Sequence, residues 1–472
     1  MSAAVRPALE RDGASLLERG LRLFTDVRPG EGVTGVVLFA DVFLILCAYY
    51  FVKALRDGWI AVSEVAGFSS VELKAYTSFA QSLLLWGVVS LYARLAARWP
   101  RRTLTTRVTL ACMANLVLFW LLHPGLVFVN VPGAGVVFYL WVGMFGVFVV
   151  AQFWTFAADL YPGDRGARLL PFVAVGATAG ATVGSFLTQY LLRSGLVDSG
   201  TLLLVAIVPL AASMLLTRYA DARGPLGTEP IERTSEPAAV AAPAGSGALA
   251  MIARYRYLIA VATVAMLTNW VITNGDNLLF RVLQDGLRSE VATRGIAEQG
   301  AIRAFVRQET TAFYGEYFFW INLCALLAQA FLASRLLRYG GIAAVLLLLP
   351  LISLLSYTTM ALLPVLAMVR AMKIGENATN YSIDNTARQV IWLPTTADMK
   401  YRTKPAIDSL FVRLGDGMAA LTILFGVQML ALSNRTLLLV NVILVTCWLA
   451  AARLIVNEHR RWTQQGPPIA AT

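Results

Sequence analysis

Of the 472 residues, 58% are hydrophobic and 14% charged, whereas a soluble globular protein is about a quarter charged. The net charge of +11 is basic enough for a nucleic-acid binder. Much of it, however, sits in short segments between apolar runs, where the positive-inside rule puts it, so no nucleic-acid partner is expected. Apolar stretches of roughly the 20 residues needed to cross a bilayer recur from Val33 to the C-terminus, so the chain reads as an all-α polytopic membrane protein with about twelve transmembrane helices.

In chain order, the first 32 residues mix Arg6, Arg11, Arg19, Arg22 and Arg28 with acids and hold no apolar core. They read as a cytoplasmic segment, not a cleavable signal peptide. Spans are predicted near 34–60, 73–93, 108–124, 134–157, 170–193, 200–217, 258–283, 312–334, 341–363, 364–390, 405–432 and 436–456. The loop ARLAARWPRRTLTTR after the second span is strongly basic and is assigned to the cytoplasm. That choice puts both termini, SRLLRYGG and DMKYRTKP on the same side. The segment from Gln284 to Thr311 then lies outside. Its Arg288, Arg294, Arg303 and Arg307 balance Asp285, Glu290, Glu298 and Glu309, and it reads as a polar helical extension of the seventh span. Residues 221–250 are rich in Pro, Ala, Gly and Glu and read as a flexible cytoplasmic linker. The linker separates an N-terminal six-helix half, 33–220, from a C-terminal one, 251–457, with a cytoplasmic tail at 458–472. Two six-helix halves joined by a long loop describe the major facilitator architecture.

The four cysteines, Cys47, Cys112, Cys324 and Cys447, fall in apolar spans and read as small packing residues. His123 and His459 are the only histidines, which argues against a His-based metal site. The chain has no G-x-x-x-x-G-K-[ST] loop, no H-E-x-x-H and no G-x-S-x-G. No enzyme activity and no cofactor are therefore expected.

Charges inside the spans carry the functional reading. The uncharged run from Val42 up to Lys53 is 11 residues, about half a span, so the first helix must bury Asp41, part of Lys53-Arg56-Asp57, or both. A charge at mid-bilayer costs about 2.5–3.5 kcal/mol on insertion scales. Lys53 and Arg56 could snorkel to the headgroups, Lys53 could pair with Asp57 at i,i+4, or both cations could face a water-filled central cavity. The seventh span repeats the pattern with Asp276, Asn277 and Arg281 near its outer end. In the tenth span Arg370, Lys373, Asn377, Asn380, Asp384 and Arg388 recur at steps of three or four and share a helical face, with Glu376 a further charge. Interhelix salt bridges are one use for such a stripe; a polar central path is the preferred one. In GATAGATVG, Gly176, Gly180 and Gly184 line one face, which favours close helix packing. Asp159, Asp164, Arg165 and Arg168 crowd one cytoplasmic turn, as either a gate network or solvated turn charges.

The block NYSIDNTARQVIWLPTTADMKYRTKPAIDSLFVRLGDG resembles the signature of the ATP/ADP translocase family, the nucleotide transporters of plastids and intracellular bacteria. The match rests on Tyr381, Ser382, Asp384, Thr386, Pro394, Ala406, Ile407, Asp408, Arg413, Leu414 and Gly415. YYFVKALRDGWI, VELKAYTSF, FWTFAADL and RLLPFVAVGA are similar to the family's first, second, fourth and fifth helices. The chain departs from the family at Asp416 after Arg-Leu-Gly, at Asn380 before Tyr-Ser, and in the stretch LWVGMFGVFVV of the fourth helix, which has no carboxylate where the family tends to carry a Glu. The resemblance implies the major facilitator fold, alternating access, and nucleotide exchange or nucleotide–proton symport in a bacterial inner membrane. It implies a nucleotide or another organic phosphate as the substrate, with Lys53, Arg56, Lys74 and Arg281 as phosphate contacts and Asp276 and Asn277 at a polar position of the seventh helix. Lys373, Asn377, Asn380 and Asp384 complete the expected substrate site; Asp159, Arg168, Asp408 and Arg413 are the expected gating residues. A proton-coupled organic-anion permease using Asp276 or Asp384, and a non-transporting scaffold or receptor, are the alternatives.

Overall fold

Backbone polar groups in hydrocarbon must be satisfied within the membrane-crossing segment itself, which leaves helices for a chain this apolar. The computed structural model describes residues 18, 27–28, 30–65, 67–98, 101–123, 131–161, 164–223 and 246–465. Most of the expected N-terminal segment, residues 224–245 of the expected linker and the tail from 466 lie outside the described residues. Among the described residues the only β pairing is an isolated bridge between Val65 and Phe68.

Among the described residues ten helices are long and apolar enough to cross a membrane: Gly32–Ala61, Thr103–Leu121, Ala134–Leu160, Arg168–Arg193, Thr201–Arg223, Arg256–Arg294, Gln299–Ala333, Arg335–Leu362, Met399–Met429 and Asn434–Gln464. Besides the short helix Ser246–Arg254, two more polar helical segments lie between these spans. One is Ser70–Arg98, with Glu72, Lys74 and two arginines; the other is Leu366–Thr379, continued by a π turn at Asn380–Asp384 and the helix Asn385–Val390. Among the described residues the architecture is thus the expected all-α, polytopic one.

Several boundaries move outward for one reason: a helix does not stop where its apolar window stops. Arg101–Leu121 begins in the basic loop, and Asn434–Gln465 runs past the apolar span through Arg453, His459 and Arg461. Pro171 lies inside Asp164–Arg193, not at its start. The sixth span breaks at Ala206, where Pro209 has no N–H to give the Val205 carbonyl. The expected helical extension from Gln284 to Thr311 is corrected: the seventh helix ends at Arg294. Gly295 takes φ 64°, its N–H bonds the Ala292 carbonyl at 3.2 Å and the Ile296 N–H bonds that of Val291 at 3.3 Å. This glycine stop closes the helix, and Gln299–Thr311 belongs to the next one.

Packing divides the chain into two units. One holds the described residues of Met1–Gly58, Leu91–Thr234 and Thr311–Phe319; the other holds those of Trp59–Ser90, Ser235–Thr310 and Trp320–Thr472. In the first unit the glycine stripe has a specific purpose. Gly176, Gly180 and Gly184 lie against the backbone of Phe39, Phe43 and Cys47 on the first helix, where any added Cβ would strike a carbonyl oxygen. Phe39 and Phe172 stack beside them at 5.0 Å. In the second unit Tyr257, Trp392, Ile407, Val456 and Trp462 share an apolar core, in which the Tyr257 hydroxyl bonds the Ile391 carbonyl. Gly415 lets its helix approach the backbone of Met266 and Trp270 in the same way.

Because the Phe43 backbone cannot yield as a side chain can, Gly180→Ala is expected to cost about 1–3 kcal/mol, read as a lower thermal midpoint of purified protein in detergent. Gly286→Ala, on the exposed side of a helix with open space around it, should be neutral or stabilising by up to about 1 kcal/mol.

Candidate functional site

In the first unit the first helix buries both carboxylates in question: Asp41 and Asp57 are 0% and 1% exposed. The i,i+4 pair of Lys53 with Asp57 does not form. Asp57 pairs instead with the neighbouring Arg56, at 3.5 Å. The Arg56 guanidinium carbon also lies 4.2 Å above the centre of the Tyr139 ring. Among the described residues no carboxylate pairs with Lys53. Its ammonium is met by aromatic faces: Phe318 at 4.2 Å, Tyr50 at 4.7 Å and Tyr49 at 5.9 Å. Phe318 is held in turn by Tyr50, Tyr314 and Tyr317 at ring separations of 5.6–5.8 Å. A ring quadrupole attracts a cation, with about 2 kcal/mol available when the pair is desolvated, but it does not neutralise the charge. The cation keeps its capacity to bind an anion.

Arg168, an expected gating residue, pairs with Glu31 at 3.2 Å, and Arg165 joins at 3.4 Å. Tyr161 donates to the Glu31 carbonyl at 3.0 Å. Asp159 is exposed on its helix, and Glu31 gathers Arg165 and Arg168.

In the second unit Lys74 is buried with its ammonium 4.2 Å from the centre of Phe280. Arg281, one residue on from that phenylalanine, reaches the Leu432 carbonyl with both terminal nitrogens at 3.5 Å. Asn277 is buried with no hydrogen-bond partner at Nδ2. Lys373 behaves differently. It is 0% exposed and bonds Glu376 at 2.5 Å, Asp276 at 3.0 Å and the Ile272 carbonyl at 3.3 Å. Ser353 donates to Glu376 at 2.7 Å, the Tyr357 hydroxyl lies 3.0 Å from the same carboxylate, and Asn377 donates to Asp276 at 3.2 Å. Gly275 makes room for this cluster, since a Cβ there would collide with the Tyr357 hydroxyl and the Lys373 ammonium.

The π turn at Asn380–Asp384 shifts the polar stripe of the tenth helix, and Arg388 gathers both ends of that turn: Asp384 at 2.7 Å and Asn380 at 3.2 Å. Arg413 pairs with Asp416 at 3.1 Å and takes Ser82 at 3.1 Å, while Ser82 and Thr273 donate to Asp416 at 2.9 and 3.0 Å. The carboxylate that departs from the translocase pattern is therefore the counter-ion of its own arginine. Asp408 sits exposed on the π turn Ile407–Phe411.

The structure thus separates the expected residues into neutralised clusters, around Lys373, Arg388 and Arg413, and under-neutralised cations, Lys53 and Arg281. Sequence reasoning missed Glu31, Tyr139, Phe318, Ser353 and Tyr357. The aromatic run TAFYGEYFFW around Phe318 was the one legible signal.

No protein-family model and no curated protein matches the sequence. The fold does match solved structures. The nucleoside transporter NupG superposes with TM-score 0.60 at 13% identity, covering 90% of this chain and 99% of that one. An auto-inhibited POT family peptide transporter gives 0.55 at 12% identity, over 93% and 98%. A bacterial homologue of the human lysosomal transporter Spinster gives 0.51 at 12%, over 94% and 100%. At this identity the likeness establishes the fold, that of major facilitator-type transporters.

Removing one member of a buried pair strands the other. Lys373→Gln should therefore destabilise the protein by about 3 kcal/mol, and Lys373→Gln/Glu376→Gln should recover most of the loss, because Asp276 is 43% exposed and stays solvated. Unfolding of both variants in detergent reads the difference.

Proposed function

We propose that this chain is a secondary transporter that carries a nucleotide across the membrane by alternating access, exchanging ATP for ADP. The observation that carries the reading is the Lys53 ammonium, placed within a membrane-crossing helix among the rings of Phe318, Tyr50 and Tyr49 with no carboxylate partner among the described residues. A phosphate oxygen supplies the charge that the rings leave unmet, and in a site of low dielectric such a bond is strong. Aromatic faces also suit the flat base of a nucleotide. Arg56 over Tyr139 adds further cation capacity in the same unit. The resemblance of the Tyr381–Gly417 block to the ATP/ADP translocases supports the nucleotide, and so does a nucleoside transporter among the structures of like fold. Exchange of free ATP for free ADP alone moves one extra negative charge per cycle, so membrane potential would bias its direction wherever no proton accompanies the nucleotide. The paired clusters at Lys373, Arg388 and Arg413 serve in this reading as rigid supports.

The test is uptake of labelled ATP into proteoliposomes at equal pH on both sides, with and without internal ADP. Uptake should depend on internal ADP. Loss of one charge-assisted bond predicts that Lys53→Gln lowers it by about tenfold or more. Arg294→Gln, which removes only an exposed i,i+4 pair with Glu290, should leave it near wild type. Labelled nucleotide that fails to enter, or Lys53→Gln equal to wild type, contradicts the proposal.

A further inference from the structure

The transport reading leaves Asp41 without a role, although it is the most completely buried carboxylate of the first unit. It has no exposed surface, and among the described residues no lysine, arginine or histidine pairs with it. Its partners are two hydroxyls of the sixth span. Ser213 donates to Oδ1 at 2.5 Å and Thr217 to Oδ2 at 2.7 Å. An ionised carboxylate inside an apolar bundle is expensive unless a cation meets it, and an intramembrane acid without one is a candidate for proton binding.

A second, independent feature lies beside it. Ser213 and Thr217 also line a small cavity, with about 20 Å³ open to water, together with Thr105, Thr109 and Gln152. Gln152 is only 6% exposed, yet neither its Oε1 nor its Nε2 has a hydrogen-bond partner. A buried amide with both ends open, in a cavity otherwise walled by hydroxyls and apolar side chains, is a place for water. A second, smaller space of about 10 Å³ is also walled by Thr105, Phe156 and Thr217, and by Arg218 and Asp221 near the end of the sixth span.

We propose that Asp41 is a proton-binding site, loaded from the small hydroxyl-lined cavity beside it, and that the transporter couples nucleotide movement to one proton per cycle. The inference rests on the transport reading for its coupling, not for the site itself. Loading adds a proton from water to one carboxylate oxygen; the hydroxyl bonded there turns from donor to acceptor, and the charge on Asp41 disappears. Unloading reverses each step and returns the proton to water. Among the side chains described, the charged groups on the four helices that line the cavity are Lys53, Arg56 and Asp57 on its own helix, with Glu31 just before it, Arg107 on the third, Asp159 on the fourth, and Arg218, Asp221 and Arg223 on the sixth. None of them forms an ion pair with Asp41. Hydroxyl donors alone do not hold it permanently ionised, which leaves it free to exchange its proton.

Two measurements separate this site from the transport reading. In proteoliposomes, a pH gradient of one unit, imposed in either direction, can sustain about a tenfold nucleotide accumulation at one proton per nucleotide. Wild type should approach that limit on acidification of the outer face or the inner face, and Asp41→Asn should show no gradient-driven accumulation relative to its own exchange at equal pH. In infrared difference spectra of the purified protein between acid and neutral pH, a protonated-carboxyl stretching band should appear in wild type, be missing from Asp41→Asn and shift in Ser213→Ala. Should Asp41→Asn fold poorly, the shift in Ser213→Ala still reports on the site. A spectrum in which the Asp41 band never appears overturns the inference, as does accumulation in Asp41→Asn equal to wild type or driven by sodium in place of protons. If the band is present and no nucleotide moves, the site stands and the nucleotide reading falls. If nucleotides exchange and the band is missing, the reverse holds.

Discussion

A positive charge held among apolar helices must be met by electron density from some quarter, and the way each cation of this chain is met decides what that cation can do. Lys373 is met by two carboxylates and a backbone carbonyl, and Arg413 by Asp416 and a serine hydroxyl. Lys53 is met by aromatic rings. Coulomb attraction at contact in a poorly polarisable interior exceeds a ring quadrupole's pull several-fold. The first kind of cation is therefore spent on the fold. The second kind stays electrostatically under-satisfied, which in a membrane is tolerable where water, headgroups or an arriving anion completes it.

Asp41 is the negative counterpart of Lys53. It too is held in the first helix of the same unit, and it too is met by weak partners, two hydroxyls, where a cation would be expected. One helix thus carries an acid and a base that the structure leaves incompletely neutralised, 12 residues apart. The close seating of the fifth helix on the backbone of Phe39, Phe43 and Cys47 fixes that first helix along the stretch containing Asp41. Rigid placement is what turns an unsatisfied charge into a recognition element, since a side chain free to reach water would satisfy itself.

Most of the fold was legible from hydrophobicity alone, because the membrane leaves helices as the one solution for such a chain. What was misjudged depends on forces that hydropathy does not measure. Helix ends ran on through Arg101 and His459, since polar turns continue a helix outside the hydrocarbon at no cost. The extension beyond Gln284 stopped at Gly295, a single residue with the left-handed freedom to end it. The stripe from Arg370 to Arg388 was correctly seen as polar, but the π turn at Asn380–Asp384 inserts a register shift that a uniform helical step cannot anticipate. The cations were identifiable by type and position. Their partners were not, because Glu31 lies 137 residues from Arg168 and Ser82 lies 331 from Arg413. Lys53 and Asp57 had the spacing of a pair, but the adjacent Arg56 took Asp57 instead.

The most direct test of the central claim, that Lys53 is a cation waiting for a phosphate, is ligand-induced stabilisation of the purified protein. Binding to the folded state alone raises the thermal midpoint in proportion to the logarithm of ligand concentration. The account predicts that ATP and ADP raise the midpoint of wild type at low salt, that the corresponding nucleoside raises it far less, and that Lys53→Met abolishes the phosphate-dependent part. A midpoint indifferent to nucleotides in wild type, or a response in Lys53→Met as large as in wild type, would contradict it.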